Sequence, residues 1–299
     1  MPAFASYGHA LMLVAATACW GFGTVLSKLV LDRGVAPLSL LAVELSASCL
    51  LLWLIVLVRG ARWSWSLSNV KLAALGILNP GLAYALGLLG LVTVSASMSV
   101  LLWATEPVLI VLLAVLVLQE RITPATAIGL GLALVGVLLV IYQPGATGDA
   151  TGIALTLAAV TACGVYAVLT RRFLLDDSSL SVVLTQQTAA LVFAVVVAGV
   201  TAAAGAAELG LPADRVTWAL AAASGAIYYG LAFWLFVSGL QRVPASVAGT
   251  FLPLIPVFGL AAGFLLGDRL VGRQWLGVAL VVLATAATAA HHLRGQGRR

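Results

Sequence analysis

The chain has 299 residues, of which 63% are apolar and only 8% charged, with a formal net charge of +5 and a mean hydropathy of +1.14. A water-soluble domain carries about 25% charged residues, so this composition cannot coat a surface facing water and describes an integral membrane protein. The modest positive charge gives no ground for a nucleic-acid partner, because loop cations in membrane proteins have another cause.

Ten apolar runs follow one another along the chain: 8–31, 36–58, 70–91, 95–118, 124–142, 150–170, 179–205, 216–238, 245–267 and 272–291. Each is near the ~20 residues that cross a bilayer as helix, and none shows the alternating ten-residue pattern of a membrane barrel. The predicted fold is therefore an all-α integral membrane protein with ten transmembrane helices. Residues 1–8 hold no Lys or Arg, and the first run is long enough to stay as a helix, so no signal peptide is expected. Cys19, Cys49 and Cys163 all fall in apolar runs and read as small packing residues.

The connections are short, the longest polar ones running over 59–69 and 206–215. A Pro- and Gly-rich turn segment at 143–149 divides the chain into a first unit 1–143, a linker 144–149 and a second unit 150–299 with a short basic tail. Ten crossings place both termini on one side. With that side inside, the inner segments hold Arg59, Arg62, Lys71, Arg121, Arg171, Arg172, Arg242, Arg294, Arg298 and Arg299, and the outer ones hold Lys28, Arg33, Arg215, Arg269 and Arg273. The excess of cations inside predicts cytoplasmic N- and C-termini in a bacterial-type inner membrane.

The two units repeat each other. Thr17-Ala18-Cys19 returns as Thr161-Ala162-Cys163, an offset of 144. Ser97 and Pro107 return as Ser246 and Pro256, offset by 149, and Glu120-Arg121 and Gly129 return as Asp268-Arg269 and Gly277, offset by 148. Each copy has an odd number of spans, so the second is inserted upside down relative to the first. Inverted repeats of this kind are common in secondary transporters, where two halves of opposite orientation exchange roles.

The repeated residues also carry a family resemblance. Trp20-Gly21-Phe22-Gly23 in the first span, Ser95-Ala96-Ser97 with Glu106-Pro107-Val108 in the fourth, and Glu120-Arg121-Ile122 with Gly129 and Gly136 leading into the fifth resemble the EamA-type branch of the drug/metabolite transporter superfamily. The second copy shows Ala245-Ser246, Pro256-Val257, Gly267-Asp268-Arg269 and Gly277. The resemblance covers about residues 8–291 and implies a drug/metabolite exporter. The chain departs from the family at Asp268, where Glu is common; at Glu44, where Arg is frequent; and in the sixth span, Ala162-Cys163-Gly164-Val165-Tyr166, where Trp is common.

Glu106 sits in mid-span, where a charged carboxylate costs about 2.5–3.5 kcal/mol on insertion scales. It either contacts a substrate amine, carries a coupling proton, or serves as a protonated carboxyl bonding two helices. Ser99, Trp103 and Glu106 follow i, i+4, i+7 spacing and would share one face of a continuous helix, combining a hydroxyl, an aromatic plate and an acid. Its counterpart in the second copy is Ile255. Asn79-Pro80-Gly81 interrupts the third span, either as a binding-site break or as an ordinary proline kink. In the eighth span Gly225, Tyr228, Tyr229 and Gly230 stand where the matching proline is absent. Trp20, Trp103, Tyr84, Tyr166, Tyr228, Tyr229 and Trp234 are aromatics with polar tips, several deep in their spans. The expected substrate contacts are Trp20, Asn79, Ser99, Trp103, Glu106, Tyr166 and Tyr228. Glu44 and Lys28 form either a structural charge pair or part of a coupling device, and Gln186 and Gln187 read as structural bonds between helices.

Other motifs lead nowhere. His291-His292 lacks i, i+4 spacing, Asp176-Asp177 lacks a second acidic cluster, and no phosphate-binding loop is present. No metal, cofactor or enzymatic activity is expected. The sequence predicts a secondary transporter exporting a small metabolite, an amino acid with an aromatic or hydrophobic side chain first, with proton coupling suggested by Glu106. A cationic-drug exporter of the same fold is the alternative, and a channel or membrane enzyme a more distant one.

Overall fold

The computed structural model describes residues 2–59, 67–91, 93–94, 96–141, 148–174, 178–206, 209–265 and 271–296. The linker residues 144–147, Asp176-Asp177 and the Gly267-Asp268-Arg269 motif lie outside the described residues, as do Arg62, Ser95, Arg298 and Arg299.

Helices α1 (Pro2–Leu31) and α2 (Pro37–Arg59) are continuous, as are α5 (Pro124–Ile141), α6 (Ala150–Phe173), α7 (Ser179–Ala203) and α10 (Gly272–Gln296). The other four are interrupted. Helix α3 runs Leu67–Gly76, a kinked stretch Ile77–Leu82 in which Asn79 leaves helical geometry, then Ala83–Leu91, and α8 runs Arg215–Ser224, a π-helical segment Gly225–Leu231, then Ala232–Leu240. Helix α4 is split into Ala96–Trp103 and Glu106–Leu118, and α9 into Ala245–Gly249 and Leu254–Leu265. Among the described residues nine helices are long and apolar enough to span a bilayer, and Glu106–Leu118 is a shorter apolar one. With the split α4 counted as one crossing, the fold is the expected ten-helix bundle.

The interruptions recur in register. Ile77 and Gly225 open the two irregular stretches, and Glu106 and Leu254 open the two second half-helices, each pair 148 residues apart. The packing obeys the same exchange. Helix α1 lies on α8 and α9, as α6 lies on α3 and α4; α2 meets α8 as α7 meets α3; and α2–α7, α4–α9 and α5–α10 pair across the pseudo-axis.

Small residues set the closest contacts. A Cβ on Gly76 of α3 would sit 2.0 Å from the carbonyl oxygen of Gln186, and one on Gly225 of α8 would sit 2.2 Å from that of Glu44. These contacts exchange under the repeat, so Glu44 and Gln186 occupy equivalent places. At the α5–α10 crossing, Gly136 would meet the carbonyl of Gly277 at 2.8 Å, and Gly277 would meet that of Gly136 at 2.6 Å.

One continuous core joins residues of both halves, from Leu13 and Leu45 to Val237 and Val281. Outward-facing Leu50, Val58, Leu116, Leu265 and Leu283 are all more than 65% exposed, an apolar surface that only lipid accommodates. At the end of the bundle where α4 finishes, Gln119 adopts a left-handed conformation (φ 56°) and turns Glu120 back toward α9. The Glu120 carboxylate accepts from the backbone N–H groups of Ala245 and Ser246, both at 2.9 Å, and from the Ser246 hydroxyl. On the same side, Arg171 donates to the carbonyls of Leu240 and Gln241 at 2.6 and 3.0 Å.

Two helix starts are capped by aspartates outside the spans. The Asp149 carboxylate accepts from Gly152 N–H and the Thr93 hydroxyl, which hold it below the usual carboxylate range. Asp214 is held low in the same way by the hydroxyl and N–H of Thr217.

Two predictions follow from this architecture. Gly225→Ala forces the α2 and α8 backbones apart and costs about 1–3 kcal/mol or more, whereas Gly131→Ala, with nothing within 4 Å of the new methyl, keeps or raises the melting temperature. Thermal unfolding of the detergent-solubilised variants reads both. Because the folded pKa values of Asp149 and Asp214 are depressed, their contribution is full above the ordinary carboxylate value of 3.8 and is lost as pH falls through the folded value. Asp149→Ala and Asp214→Ala therefore melt below wild type at neutral pH, and a pH series of melting curves shows the gap closing in acid.

Candidate functional site

The interruptions in α3, α4, α8 and α9 converge on a cavity of about 420 Å³, within the range of small-molecule sites. Its polar positions include Glu106, Asn79, Trp20, Thr24, Trp103, Tyr84 and Tyr228, and its apolar wall includes Phe233, Phe236, Leu252 and Ile255. Among the described residues no Lys or Arg lines it.

Each polar group arrives by a break in a helix or a close approach. The turn at Ala104-Thr105 ends the first half of α4, so Glu106 and Pro107 begin a fresh helix in mid-span. Proline fits a first turn because its missing N–H is not required there. Glu106 consequently stands at the positive end of the Glu106–Leu118 half-helix, where a carboxylate is favoured. No hydrogen bond or ion pair reaches it from the described residues. In α3, Asn79 is extended (φ −150°, ψ 122°) and breaks the helix into the cavity wall. Its Oδ1 is buried without a partner, and so is the indole Nε1 of Trp20. The cavity thus presents an unpaired carboxylate, and its wall buries an amide oxygen and an N–H donor that have no partner among the described residues.

Aromatic rings frame these groups. Trp20 meets Phe233 edge-on at 5.4 Å and Phe236 at 5.2 Å. Tyr84 packs on Tyr228 at 5.7 Å and on Trp103 at 6.3 Å. Gly87 of α3 makes room for Trp103: a Cβ there would lie 3.1 Å from the Trp103 ring.

Of the seven expected contacts, the structure brings Trp20, Asn79, Trp103, Glu106, Tyr166 and Tyr228 to this cavity. Tyr166 offers only its ring, since its hydroxyl donates to Gln186 Oε1 at 2.9 Å and Gln186 in turn donates to Thr170 at 3.2 Å. Ser99 does not line the cavity. It is buried in the first half of α4, one helical turn before Trp103 and on the same face, beyond the residues that reach the cavity. The expected Lys28–Glu44 pair is not formed either. Lys28 pairs with Asp32, one helical turn along an exposed edge, while Glu44 is buried and accepts from Ser27 and Ser224. The spacing of Lys28 and Asp32 was the available signal for that alternative.

Phe233 and Phe236 were not anticipated, because they carry no polar tip. Their three-residue spacing after the Tyr228-Tyr229 pair is the pattern that marks them. Gln187 joins three helices, accepting from Ser48 and donating to the Tyr229 carbonyl, both at 3.3 Å. All three cysteines are free, and Cys163 lines the cavity. Among the described residues no cluster of three or more His, Cys, Asp or Glu is placed to hold a metal.

A membrane bundle of two repeated five-helix units, with four helices interrupted around a central cavity, defines a transporter. The chain belongs to the EamA-like transporter family, whose family model matches twice, over residues 8–142 and 150–290. It is similar to an uncharacterized transporter of Archaeoglobus fulgidus, 25% identical over 274 residues, covering 91% of this chain and 95% of that protein. It is also similar to the uncharacterized transporter YetK of Bacillus subtilis, 26% identical over 287 residues, with 92% and 84% covered. A solved crystal structure of another protein shares the fold at 21% identity, with a TM-score of 0.79 over 93% of this chain and 94% of that one.

Cys163 offers a reporter of the cavity. In a Cys19→Ser, Cys49→Ser background, Gly87→Val pushes the Trp103 ring inward and slows labelling of Cys163 by a small methanethiosulfonate reagent, with the fold retained by size-exclusion chromatography. Unchanged labelling would show that Trp103 does not bound the open space.

Proposed function

We propose that this transporter exports a small amino-bearing solute with an apolar side group, an aromatic or other hydrophobic amino acid first, by alternating access across a bacterial-type inner membrane with both termini cytoplasmic. The observation that carries the reading is the Glu106 carboxylate, which no described residue pairs, in an aromatic-walled cavity that no described Lys or Arg lines. An ammonium group supplies the missing charge, the Asn79 Oδ1 accepts a second of its protons, and the Trp103 and Trp20 faces add cation–π attraction. The unpartnered Trp20 N–H is a donor for a substrate carboxylate. Alternating access is supported by the exchange symmetry of the packing, since the same contacts rebuilt with the halves interchanged would open the cavity to the other side. The inside excess of loop cations supports the orientation, and the outward direction rests on the resemblance to exporters.

A lipophilic amine is the second reading, favoured by the lack of any Lys or Arg to receive a substrate carboxylate.

Counterflow of labelled L-phenylalanine in proteoliposomes tests the first reading. Wild type is expected to exchange it saturably, and Glu106→Gln to weaken binding at least about thirtyfold, the effect of removing one partner of a buried charge pair. A wild-type protein that ignores phenylalanine but is stabilised by tetraphenylphosphonium or a hydrophobic monoamine would transfer the assignment to the second.

A further inference from the structure

The spans contain a second carboxylate, and the cavity does not use it. Glu44 of α2 is only 2% exposed. Its Oε1 accepts from the Ser27 hydroxyl of α1 and from the Ser224 hydroxyl of α8, both at 2.6 Å. The two hydroxyls lie 2.8 Å apart, and Ser224 also reaches the Gly23 carbonyl at 3.4 Å. The charged groups nearby are otherwise engaged: Lys28 pairs with Asp32, and Arg33 donates to Thr217. The remaining titratable groups packed around it are Tyr228 and Tyr229 of α8, while α7 presents the neutral Gln187.

We propose that Glu44, held between Ser27 and Ser224, is a proton-exchanging site of this transporter, separate from the carboxylate that faces the substrate. A buried acid without a counter-cation must find its compensation in a proton or in hydrogen-bond donors. This cluster supplies either. With Glu44 ionised, both hydroxyls donate to it. With Glu44 protonated, its O–H donates to one serine and Ser224 turns its own proton to the Gly23 carbonyl, so each state is satisfied without moving a helix. The oxygens are too close together to surround a metal ion, since contacts of 2.6–2.8 Å are ordinary O–H···O distances.

The cluster is mechanically joined to the cavity. Thr24 of the cavity wall lies one turn before Ser27 on α1, and Tyr228 lies one turn after Ser224 on α8. Gly23 packs directly on Tyr228, where an added Cβ would lie 2.6 Å from the tyrosine side chain. A shift of α1 against α8 around a substrate therefore changes which donors Glu44 keeps. In the equivalent place the other repeat has Gln186, a permanent neutral amide that the fold accommodates fully buried. That arrangement makes Glu44→Gln a conservative mimic of the protonated acid.

The test is infrared difference spectroscopy of the full chain in lipid nanodiscs, between alkaline and acidic buffer. A protonated-carboxyl band is expected to appear in acid, to survive Glu106→Gln, to vanish in Glu44→Gln and to change its pH midpoint in Ser27→Ala/Ser224→Ala. A spectrum unchanged by Glu44→Gln, or a midpoint unmoved by loss of the serines, overturns the proposal. Should Glu44→Gln fail to fold, Glu44→Asp retains the carboxyl and must move the band. The proteoliposome assay separates this assignment from the reading of the cavity, on which its coupling role rests. Glu44→Gln keeps phenylalanine counterflow but loses accumulation driven by a pH gradient, whereas Glu106→Gln loses both. Wild-type protein that does not carry phenylalanine removes the substrate reading and leaves the infrared result to decide Glu44.

Discussion

In hydrocarbon every backbone N–H and C=O must find its partner inside the protein, so irregular backbone survives only where protein or a polar cavity surrounds it. This constraint organises the whole molecule. Six helices run unbroken, while α3, α4, α8 and α9, which also present apolar side chains to lipid, spend their irregularities at one central place. The cavity is the site at which broken helices are permitted, and the polar groups around it are those that the breaks release. Glu106 is the clearest case. The turn before it converts a costly mid-membrane acid into the first residue of a half-helix, whose aligned peptide dipoles favour its charge.

The two repeats share this scaffold and differ in what they place on it. Pro107 and Pro256 both line the cavity, but the residue before each is Glu106 in one copy and Ile255 in the other. Glu44 and Gln186 both lie against a close-packed glycine, yet one can titrate and the other cannot. Symmetry supplies the moving parts, and asymmetry supplies the chemistry.

The scaffold was legible because bilayer thickness fixes span length and because a duplicated fold repeats its glycines and prolines. Gly129 and Gly277, which the repeat matches to each other, both sit at the α5–α10 contact. The cavity side chains were legible only as far as polarity marks them, so Trp20, Trp103 and Glu106 stood out whereas Phe233 and Phe236 did not. Ser99 shares the helix face of Trp103 but lies one turn farther along, so helical spacing gives its face and not how far the cavity extends. Lys28 and Glu44 were paired by depth alone. A residue's depth is readable from its distance to a span end, but the direction of its side chain depends on helix rotation, which only packing fixes.

The breaks in α3 and α8 stand at matching places in the two copies but are built differently. In α3 an extended Asn79 interrupts the helix outright, whereas in α8 the chain passes through a widened π-helical turn over Gly225–Leu231. An interrupted helix swivels about one residue, and a widened turn spreads its bend over several. The two halves of this transporter therefore own different hinges, and a motion that is symmetric in outline is unequal in its joints.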